Sequence, residues 1–401
     1  MVYRFCKDLT SESMLRGISC VFLQRRALTL APEASQVLPS TETKLPRFRT
    51  AESSPLKHDH RHDCQFYTIP EDVKQRLYLH GGLPKLFIEQ TKTFREACVM
   101  VRSPALELLH YLRAADYSRP VVRYVVYGEA GCGKSITLAH VLHYGYESGS
   151  LLIHVPWVPN WMRASKEVSN SATREGYVDL NLDAAAWLIH FKCQNAALLE
   201  KLDLRLSNEY VWSKREVTEK GAPIMELVEH GIKRVKYASD CVVALVKEIK
   251  AHSTQGRCKT LVVIDGFNAF FHPRTRIVTE DKVQVTPSKV TLTEAFMEIT
   301  KYDWCNGAVV ITVDNTGVAD DRRESCLPVY LLGKEGFEHF DPFVPIYVPE
   351  YNEKEIESCL DYYIDRRWLQ NEQSCTEEGR KELKFLCGMN PRRLMHICAP
   401  L

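Results

Sequence analysis

The chain has 401 residues, of which 45% are hydrophobic and 26% charged, and its formal net charge at pH 7 is +1. This length is enough for one large domain or two ordinary ones with an ample core. The near-neutral charge argues neither for nor against an RNA partner. No apolar run approaches the ~20 residues that span a bilayer, so we predict no membrane insertion.

Residues 1–30 have the composition of a mitochondrial transit peptide. Five basic residues are spaced among apolar ones, with few acids: Arg4, Lys7, Arg16, Arg25 and Arg26. Arginines also interrupt the apolar centre that a secretory signal needs. We therefore predict import into the mitochondrial matrix, with a merely disordered tail as the alternative.

Residues 31–66 mix Pro, Ser, Thr, Lys and Glu and are typical of an extended arm. Inside them, "KHDHRHDC" (57–64) gathers His, Asp and Cys side chains that metals bind, but the spacing matches no standard site, so we expect a solvated stretch. The 14 cysteines are scattered without a CxxC pair, which predicts free thiols in a reducing compartment. We assign 31–95 to an N-terminal extension.

Five short apolar segments are strand candidates, and helical patterns lie between them. The strands are predicted at 121–128, 151–155, 260–265, 308–314 and 344–348, and the helices at 103–115, 134–148, 182–202 and 222–255. Such alternation predicts an α/β fold with a parallel sheet covered by helices on both faces. Two further amphipathic patterns after residue 350, and a final helix beginning near "GMNPRRL", have no strand among them. We divide the chain into a core at 96–349 and a C-terminal helical lid at 350–401.

"GEAGCGKS" (128–135) fits the phosphate-loop pattern G-x-x-x-x-G-K-[ST], in the required place between a strand and a helix. Glycines let successive N–H groups point at phosphate oxygens, and the helix N-terminus adds partial positive charge. Lys134 would reach the terminal phosphates and the Ser135 hydroxyl would ligate Mg²⁺. The predicted nucleotide-binding residues here are Gly128, Glu129, Ala130, Gly131, Cys132, Gly133, Lys134 and Ser135.

An acidic residue should complete the site at the end of a neighbouring strand. "TLVVIDG" (260–266) supplies Asp265, which we predict holds Mg²⁺ together with Ser135, directly or through water. Many hydrolytic relatives of this architecture place a glutamate directly after this aspartate to orient the attacking water, whereas this chain has Gly266. Losing such a group typically costs ~10²–10⁴-fold in rate. We therefore predict no catalytic residue and, at most, slow nucleotide hydrolysis.

Polar residues elsewhere offer further contacts. In "ITVDNT" (311–316), Asn315 or Asp314 could face the terminal phosphate, with turn formation as the alternative. Arg392 and Arg393 of "GMNPRRL" could fold back onto the phosphates, or lie on the surface, or contact RNA. Basic and aromatic residues recur at 210–216 and 270–276. There the basic residues would neutralise RNA phosphates, and the aromatic rings would stack on unpaired bases or on protein, against the alternative of an exposed charged loop.

Several longer segments carry a resemblance. "YGEAGCGKS", "YVWSKREVTEKGAPIMELVEHGI", "LLGKEGFEHFDPF" and "YYIDRRWLQ" resemble the GTP-binding proteins of the mitochondrial small ribosomal subunit, the death-associated protein three family. The likeness spans roughly residues 65–401. It implies a P-loop NTPase core of the AAA+ type with a C-terminal helical lid.

The resemblance also implies function. It implies GTP or GDP with Mg²⁺, small-subunit ribosomal proteins and rRNA as partners, a contact with the large subunit, and a role in apoptosis. No NKxD-type guanine-reading motif is present, so the choice of base rests on the resemblance. The leading hypothesis is a structural ribosomal component whose nucleotide stabilises the fold. The alternatives are an AAA+ or switch ATPase acting on a protein client, and a small-molecule kinase.

Overall fold

The computed structural model describes residues 46–279, 281–317 and 325–399. The predicted transit peptide (1–30) and residues 31–45 of the predicted extension lie outside these ranges. The described residues belong to one compact unit, Leu45–Leu401. The divisions at residues 95 and 349 stay predictions.

Strands and helices alternate through most of the described chain. The strands are β1 (Phe66–Thr68), β2 (Cys98–Met100), β3 (Val122–Tyr127), β4 (Leu151–Val155), β5 (Ser169–Asn170), β6 (Val178–Asp179), β7 (Tyr210–Ser213), β8 (Glu216–Thr218), β9 (Thr260–Ile264), β10 (Gly307–Thr312) and β11 (Val344–Tyr347). The helices are α1 (Glu71–Tyr78), α2 (Lys85–Phe94), α3 (Ser103–Ala114), α4 (Lys134–Glu147), α5 (Val158–Arg163), α6 (Asn181–Leu202), α7 (Ile224–Lys233), α8 (Ala238–Thr254), α9 (Thr291–Ile299), α10 (Pro328–Phe340, interrupted at Gly333), α11 (Glu353–Asp365), α12 (Glu377–Cys387) and α13 (Pro391–Cys398).

The central sheet has five parallel strands in the order β11-β3-β10-β9-β4. All five predicted strands are confirmed, and so is the α/β fold with a parallel sheet flanked by helices. The strands are rich in Val and Ile, which suits a sheet buried on both faces. Small antiparallel pairs, β1-β2, β5-β6 and β7-β8, lie outside this sheet.

Side chains alternate between two cores, one on each face of the sheet. Val125 of β3 belongs to the core built with α6, α8 and α9. Its neighbours Tyr124 and Val126 belong to the core built with α3 and α4. Because all five strands are parallel, their carboxyl ends share one edge, which brings together the turns that follow β3, β9 and β10.

One expectation about helices needs correction, and another is confirmed. The pattern at 222–255 forms two helices, α7 and α8, because Arg234 leaves helical geometry (φ −116°, ψ 70°). The predicted final helix exists as α13, and Pro391 stands in its first turn. Pro is favoured there because its missing N–H is not needed.

The stretch expected to be solvated is partly buried. His58 has no exposed surface, and its Nδ1 lies 2.9 Å from His140 Nε2 on α4. Arg113 donates to the carbonyls of Pro55, Leu56 and His58, which fastens the segment to α3. Within the described ranges, no three His, Cys, Asp or Glu side chains are grouped to hold a metal ion.

The cysteines of the described ranges are free, as the sequence predicted. Most are buried among apolar side chains, including Cys132, Cys241 and Cys359. Among the helices that the structure describes, none has the length and apolar character that crossing a membrane requires.

Candidate functional site

The loop between β3 and α4 depends on glycine at three positions. Gly128, Gly131 and Gly133 have φ values of 149°, 88° and 106°. Residues with a side chain rarely adopt such positive φ values. A Cβ on Gly128 would also lie 2.3 Å from the Val348 carbonyl oxygen. The loop therefore has the tight curl that a phosphate-binding turn needs, and Lys134 begins α4 directly after it.

Lys134 is held under the loop. Its side chain is 4% exposed, and its Nζ donates to the carbonyl oxygens of Gly128 (2.7 Å) and Glu129 (2.8 Å). The same nitrogen lies 2.7 Å from the carboxylate of Asp314, which follows β10. Of the two candidates in "ITVDNT", Asp314 is thus the one that contacts the loop lysine.

Asn315 begins a short 3₁₀ turn after Asp314. Its Oδ1 is buried and finds no hydrogen-bond donor among the described residues. Whether it binds nucleotide stays a prediction.

Asp265 follows β9 and is 6% exposed. The Thr312 hydroxyl donates to its carboxylate, and the Gly266 N–H donates to the Thr312 oxygen at 2.8 Å. Burial raises the pKa of Asp265 to about 6, and hydrogen bonds from Ser135 and Thr312 offset part of that rise. Thr312 orients Asp265 and was missed at the sequence level, although a hydroxyl inside an apolar strand was a usable signal.

Ser135 and Asp265 fit a magnesium site. Their side chains are in hydrogen-bond contact, so a hydroxyl and a carboxylate oxygen lie side by side next to Lys134. Mg²⁺ prefers oxygen ligands and commonly takes one or two from protein, with the rest from phosphates and water. The donor set is therefore of the right kind, and its use for Mg²⁺ stays a prediction.

Gly266 is fixed by packing as well as by backbone conformation. Its φ is 74°, and a Cβ there would lie 2.8 Å from Pro159 and 3.0 Å from Trp157. A glutamate at this position would have to displace both rings. The missing water-orienting carboxylate therefore follows from how α5 packs against the end of β9.

Arg102 is a buried residue that the sequence gave no reason to select. Its guanidinium donates to the Cys132 carbonyl of the loop (2.7 Å) and to both carboxylate oxygens of Glu355 on α11 (2.7 and 3.1 Å). It also donates to the carbonyls of Pro349 and Glu350 and lies over the Tyr351 ring. One side chain thus joins the phosphate loop to the start of the C-terminal helices.

The start of α13 also contacts the loop. Asn390 Nδ2 donates to the Ala130 carbonyl (3.1 Å), and the Arg392 N–H donates to the Gly131 carbonyl (3.2 Å). A Cβ on Gly131 would lie 2.8 Å from Arg392 Cβ. The side chains of Arg392 and Arg393 are exposed, so the arginine contact with phosphate stays a prediction.

The basic and aromatic stretches pack their rings against the protein. Tyr210 and Trp212 stack on each other, and Trp212 stacks on His230. Phe270 is 3% exposed. These aromatic rings pack on the protein itself, which is one of the two kinds of stacking expected, and base stacking in these segments stays a prediction. Lys214, Arg215 and Arg274 remain exposed.

Comparison with known sequences identifies the family of this chain. The sequence model of the family described as "Mitochondrial ribosomal death-associated protein 3" matches residues 99–397. The chain belongs to this family. The resemblance carried by the sequence motifs is therefore confirmed, and a mitochondrial ribosomal family agrees with the predicted location in the mitochondrial matrix.

Individual relatives point the same way. The Bos taurus "Small ribosomal subunit protein mS29" is 44% identical over 88% of this chain and 88% of its own length. The Mus musculus protein of the same name is 42% identical over 88% and 89%. A Neurospora crassa protein of that name is 24% identical over 43% of this chain and 36% of its own.

Among solved structures, a chain of the E. coli MS115-1 HORMA:CdnC:Trip13 complex aligns with 81% of this chain and 80% of its own length. Its TM-score is 0.28 and its sequence identity is 9%, so no conclusion rests on it.

Proposed function

We propose that this chain is a structural component of the mitochondrial small ribosomal subunit that binds GTP or GDP with Mg²⁺. The nucleotide would lie on the loop 128–135 of a P-loop NTPase core of the AAA+ type, with α11–α13 as its C-terminal lid. The observation that carries the proposal is the grouping of Lys134, Ser135 and Asp265 at the carboxyl edge of a parallel sheet. The relatives' name, small ribosomal subunit protein, supports the ribosomal part.

Each element has a task in this proposal. The N–H groups of the glycine turn and the first turn of α4 bind phosphate oxygens, because these donors have no partner within the helix. Lys134 neutralises the terminal phosphates. Mg²⁺, held by Ser135 and Asp265, would supply the positive charge that offsets the phosphate oxygens.

The nucleotide acts as a stabilising ligand in this proposal. Gly266 offers no base for water and its surroundings leave no room for one. A ligand that binds only the folded state stabilises it by ~4 kcal/mol at a thousandfold excess over Kd. Packing at Gly266 weighs against the alternative of a client-remodelling ATPase, which would need rapid turnover.

The proposed partners are small-subunit ribosomal proteins and rRNA, with a contact to the large subunit. The exposed basic residues Lys214, Arg215 and Arg274 suit phosphate contacts, which position a protein on RNA without reading its sequence. Their neighbouring aromatic rings are already packed, so the proposed RNA contact is electrostatic.

The test is to isolate mitochondrial small subunits that contain the chain, denature them, and identify the released nucleotide by chromatography. We expect guanine nucleotide in near-equal amount to the chain, and loss of both nucleotide and assembly in Lys134→Ala. Lys85→Ala, an exposed lysine at the start of α2, is the matched control and should change neither. Finding the chain off the ribosome, turning over ATP, would overturn the proposal.

A further inference from the structure

A pocket of about 530 Å³ opens beside the phosphate loop, between the start of α3, the segment from β11 to α11, and the α12–α13 turn. Its walls include Glu107, Tyr347, Glu350, Asn352 and Met389. Its volume lies within the ~300–1,000 Å³ usual for small-molecule sites.

Two residues that line the pocket connect it to the loop. Tyr347 pairs in register with Tyr127, the residue directly before Gly128. Met389 precedes Asn390, whose side chain donates to the Ala130 carbonyl. A ligand whose phosphates lie on the loop would therefore have the pocket next to it.

Most polar groups of the pocket are already paired. Asn352 and Glu355 form a reciprocal capping box at the start of α11, and Glu355 also binds Arg102. Two carboxylates remain. Glu107 accepts a hydrogen bond from Tyr111 (3.2 Å) on one oxygen only, and Glu350 has no side-chain partner among the described residues.

The pocket also presents an aromatic surface. Tyr347 is 47% exposed at the end of β11. Every nucleobase has a face that stacks on such a ring. Stacking alone would not distinguish guanine from adenine, so any choice of base must come from the polar groups.

We propose that this pocket holds the base of the bound nucleotide, and that Glu107 selects guanine by accepting hydrogen bonds from its N1–H and 2-amino groups. This inference rests on the proposed nucleotide-binding function. Guanine presents two adjacent donors that match the two oxygens of a carboxylate, a geometry that gives strong, charge-assisted hydrogen bonds. Adenine presents an acceptor at N1, which the carboxylate repels.

Glu107 suits this role better than Glu350 does. It lies on a helix, and the Tyr111 hydroxyl one turn later fixes its orientation. Sites built on helices hold their geometry better than sites on connecting segments. The chain has no NKxD motif, so the acceptors that read guanine must come from another element.

The test measures binding of GTP, ITP and ATP to the purified full chain by equilibrium dialysis with Mg²⁺. ITP lacks the 2-amino group of GTP. The wild type should bind GTP more tightly than ITP or ATP. Glu107→Gln should weaken GTP binding by about tenfold or more, because its amide cannot accept at both positions, and should tighten ATP binding, because the charge that repels adenine N1 is gone.

Two further variants supply a control and an independent test of the Glu107 assignment. Glu89→Gln, on the exposed face of α2, is the matched control and should change no affinity. Tyr111→Phe removes only the hydrogen bond that orients Glu107, and we expect a smaller loss of GTP preference. This variant keeps the proposal testable if Glu107→Gln does not fold.

The possible results distinguish failure of the Glu107 assignment from failure of the proposed nucleotide binding. If the wild type binds GTP but Glu107→Gln and Tyr111→Phe keep its base preference, the assignment of Glu107 is overturned while nucleotide binding stands. A change in base preference that is seen only with Glu350→Gln also overturns the assignment of Glu107. If the wild type binds no nucleotide, both proposals fall.

Discussion

Lys134 and Asp314 form an ion pair of 2.7 Å between the phosphate loop and the end of β10. Both side chains are largely buried, at 4% and 12% exposure. A buried cation so close to a carboxylate is already neutralised. A phosphate on this loop must therefore share Lys134 with Asp314, or displace it.

We expect Asp314→Asn to tighten nucleotide binding several-fold. The amide keeps the size of the side chain but removes the negative charge that competes with phosphate and repels it at close range. Isothermal titration with GDP and Mg²⁺ measures the effect. Weaker binding in this variant would show that the carboxylate assists the metal instead.

Removing one partner of the buried Arg102–Glu355 pair should strongly destabilise the fold. Arg102→Ala leaves Glu355 buried without its cation, and breaking such a pair costs about 3–5 kcal/mol. Urea unfolding measures this loss. Because Arg102 also donates to the Cys132 carbonyl, GDP affinity should fall as well.

A paired apolar replacement provides the control. Arg102→Met combined with Glu355→Leu removes both charges, so its stability should lie closer to the wild type than that of Arg102→Ala. A double variant as unstable as Arg102→Ala would indicate that the carbonyl contacts of Arg102 matter more than the ion pair.

Gly266 should tolerate a side chain much less than Gly256 does. The two have nearly equal φ, 74° and 72°, but a Cβ at Gly256 meets nothing within 4 Å. Gly256→Ala should cost only the left-handed backbone penalty of about 1–2 kcal/mol. Gly266→Ala should cost about 1–3 kcal/mol more through overpacking against Pro159 and Trp157, measured by urea unfolding.

Gly266→Glu then tests the explanation that packing at this position excludes a water-orienting carboxylate. We expect no gain in GTP hydrolysis, because the packed rings would not let the carboxylate take up a productive position. Rapid turnover in this variant would contradict that explanation.

Buried histidines should make the fold sensitive to acid. Burial lowers the pKa of His190 to about 3, and those of His143 and His339 to about 4. The unfolded chain, with a histidine pKa near 6.5, takes up protons first as the pH falls, so stability decreases with falling pH below about 6.5. Each histidine should contribute about 2 kcal/mol of loss between about pH 7.5 and 5.0.

Urea unfolding across this pH range measures how steeply the free energy of unfolding falls with pH. His190→Gln should flatten it, whereas His110→Gln, an exposed histidine on α3, should not. A free energy of unfolding that stays constant down to about pH 5 would contradict the low pKa values of the buried histidines.

The sheet and the phosphate loop were predictable because their signals are local. Runs such as "TLVVID" are apolar and β-branched, and "GEAGCGKS" requires its glycines whatever surrounds it. Asp265 could be selected for the same reason, since it ends an apolar strand. Strand order, in contrast, became known only from the structure.

The contacts that surround the loop were not predictable, because they join distant segments. Nothing near Arg102 in the sequence indicates Glu355, and "KHDHRHDC" looks solvated until α4 places His140 beside His58. Tyr210 and Trp212 have the composition of a base-stacking surface, yet Trp212 stacks on Tyr210 and His230, and the Tyr210 hydroxyl donates to Glu248. Burial of polar groups depends on tertiary neighbours that a local pattern does not contain.

The contact between Asn390 and Ala130 joins residues 260 positions apart. The turn that carries Lys134 is synthesised early, but two of its carbonyls gain their partners only when α13 arrives. A chain emerging amino end first, whether from a ribosome or through an import channel, therefore completes this turn only after residues 390–392 have emerged. Ligand binding there would report that the loop and α13 have folded together, which would let assembly distinguish such chains from ones truncated before α13.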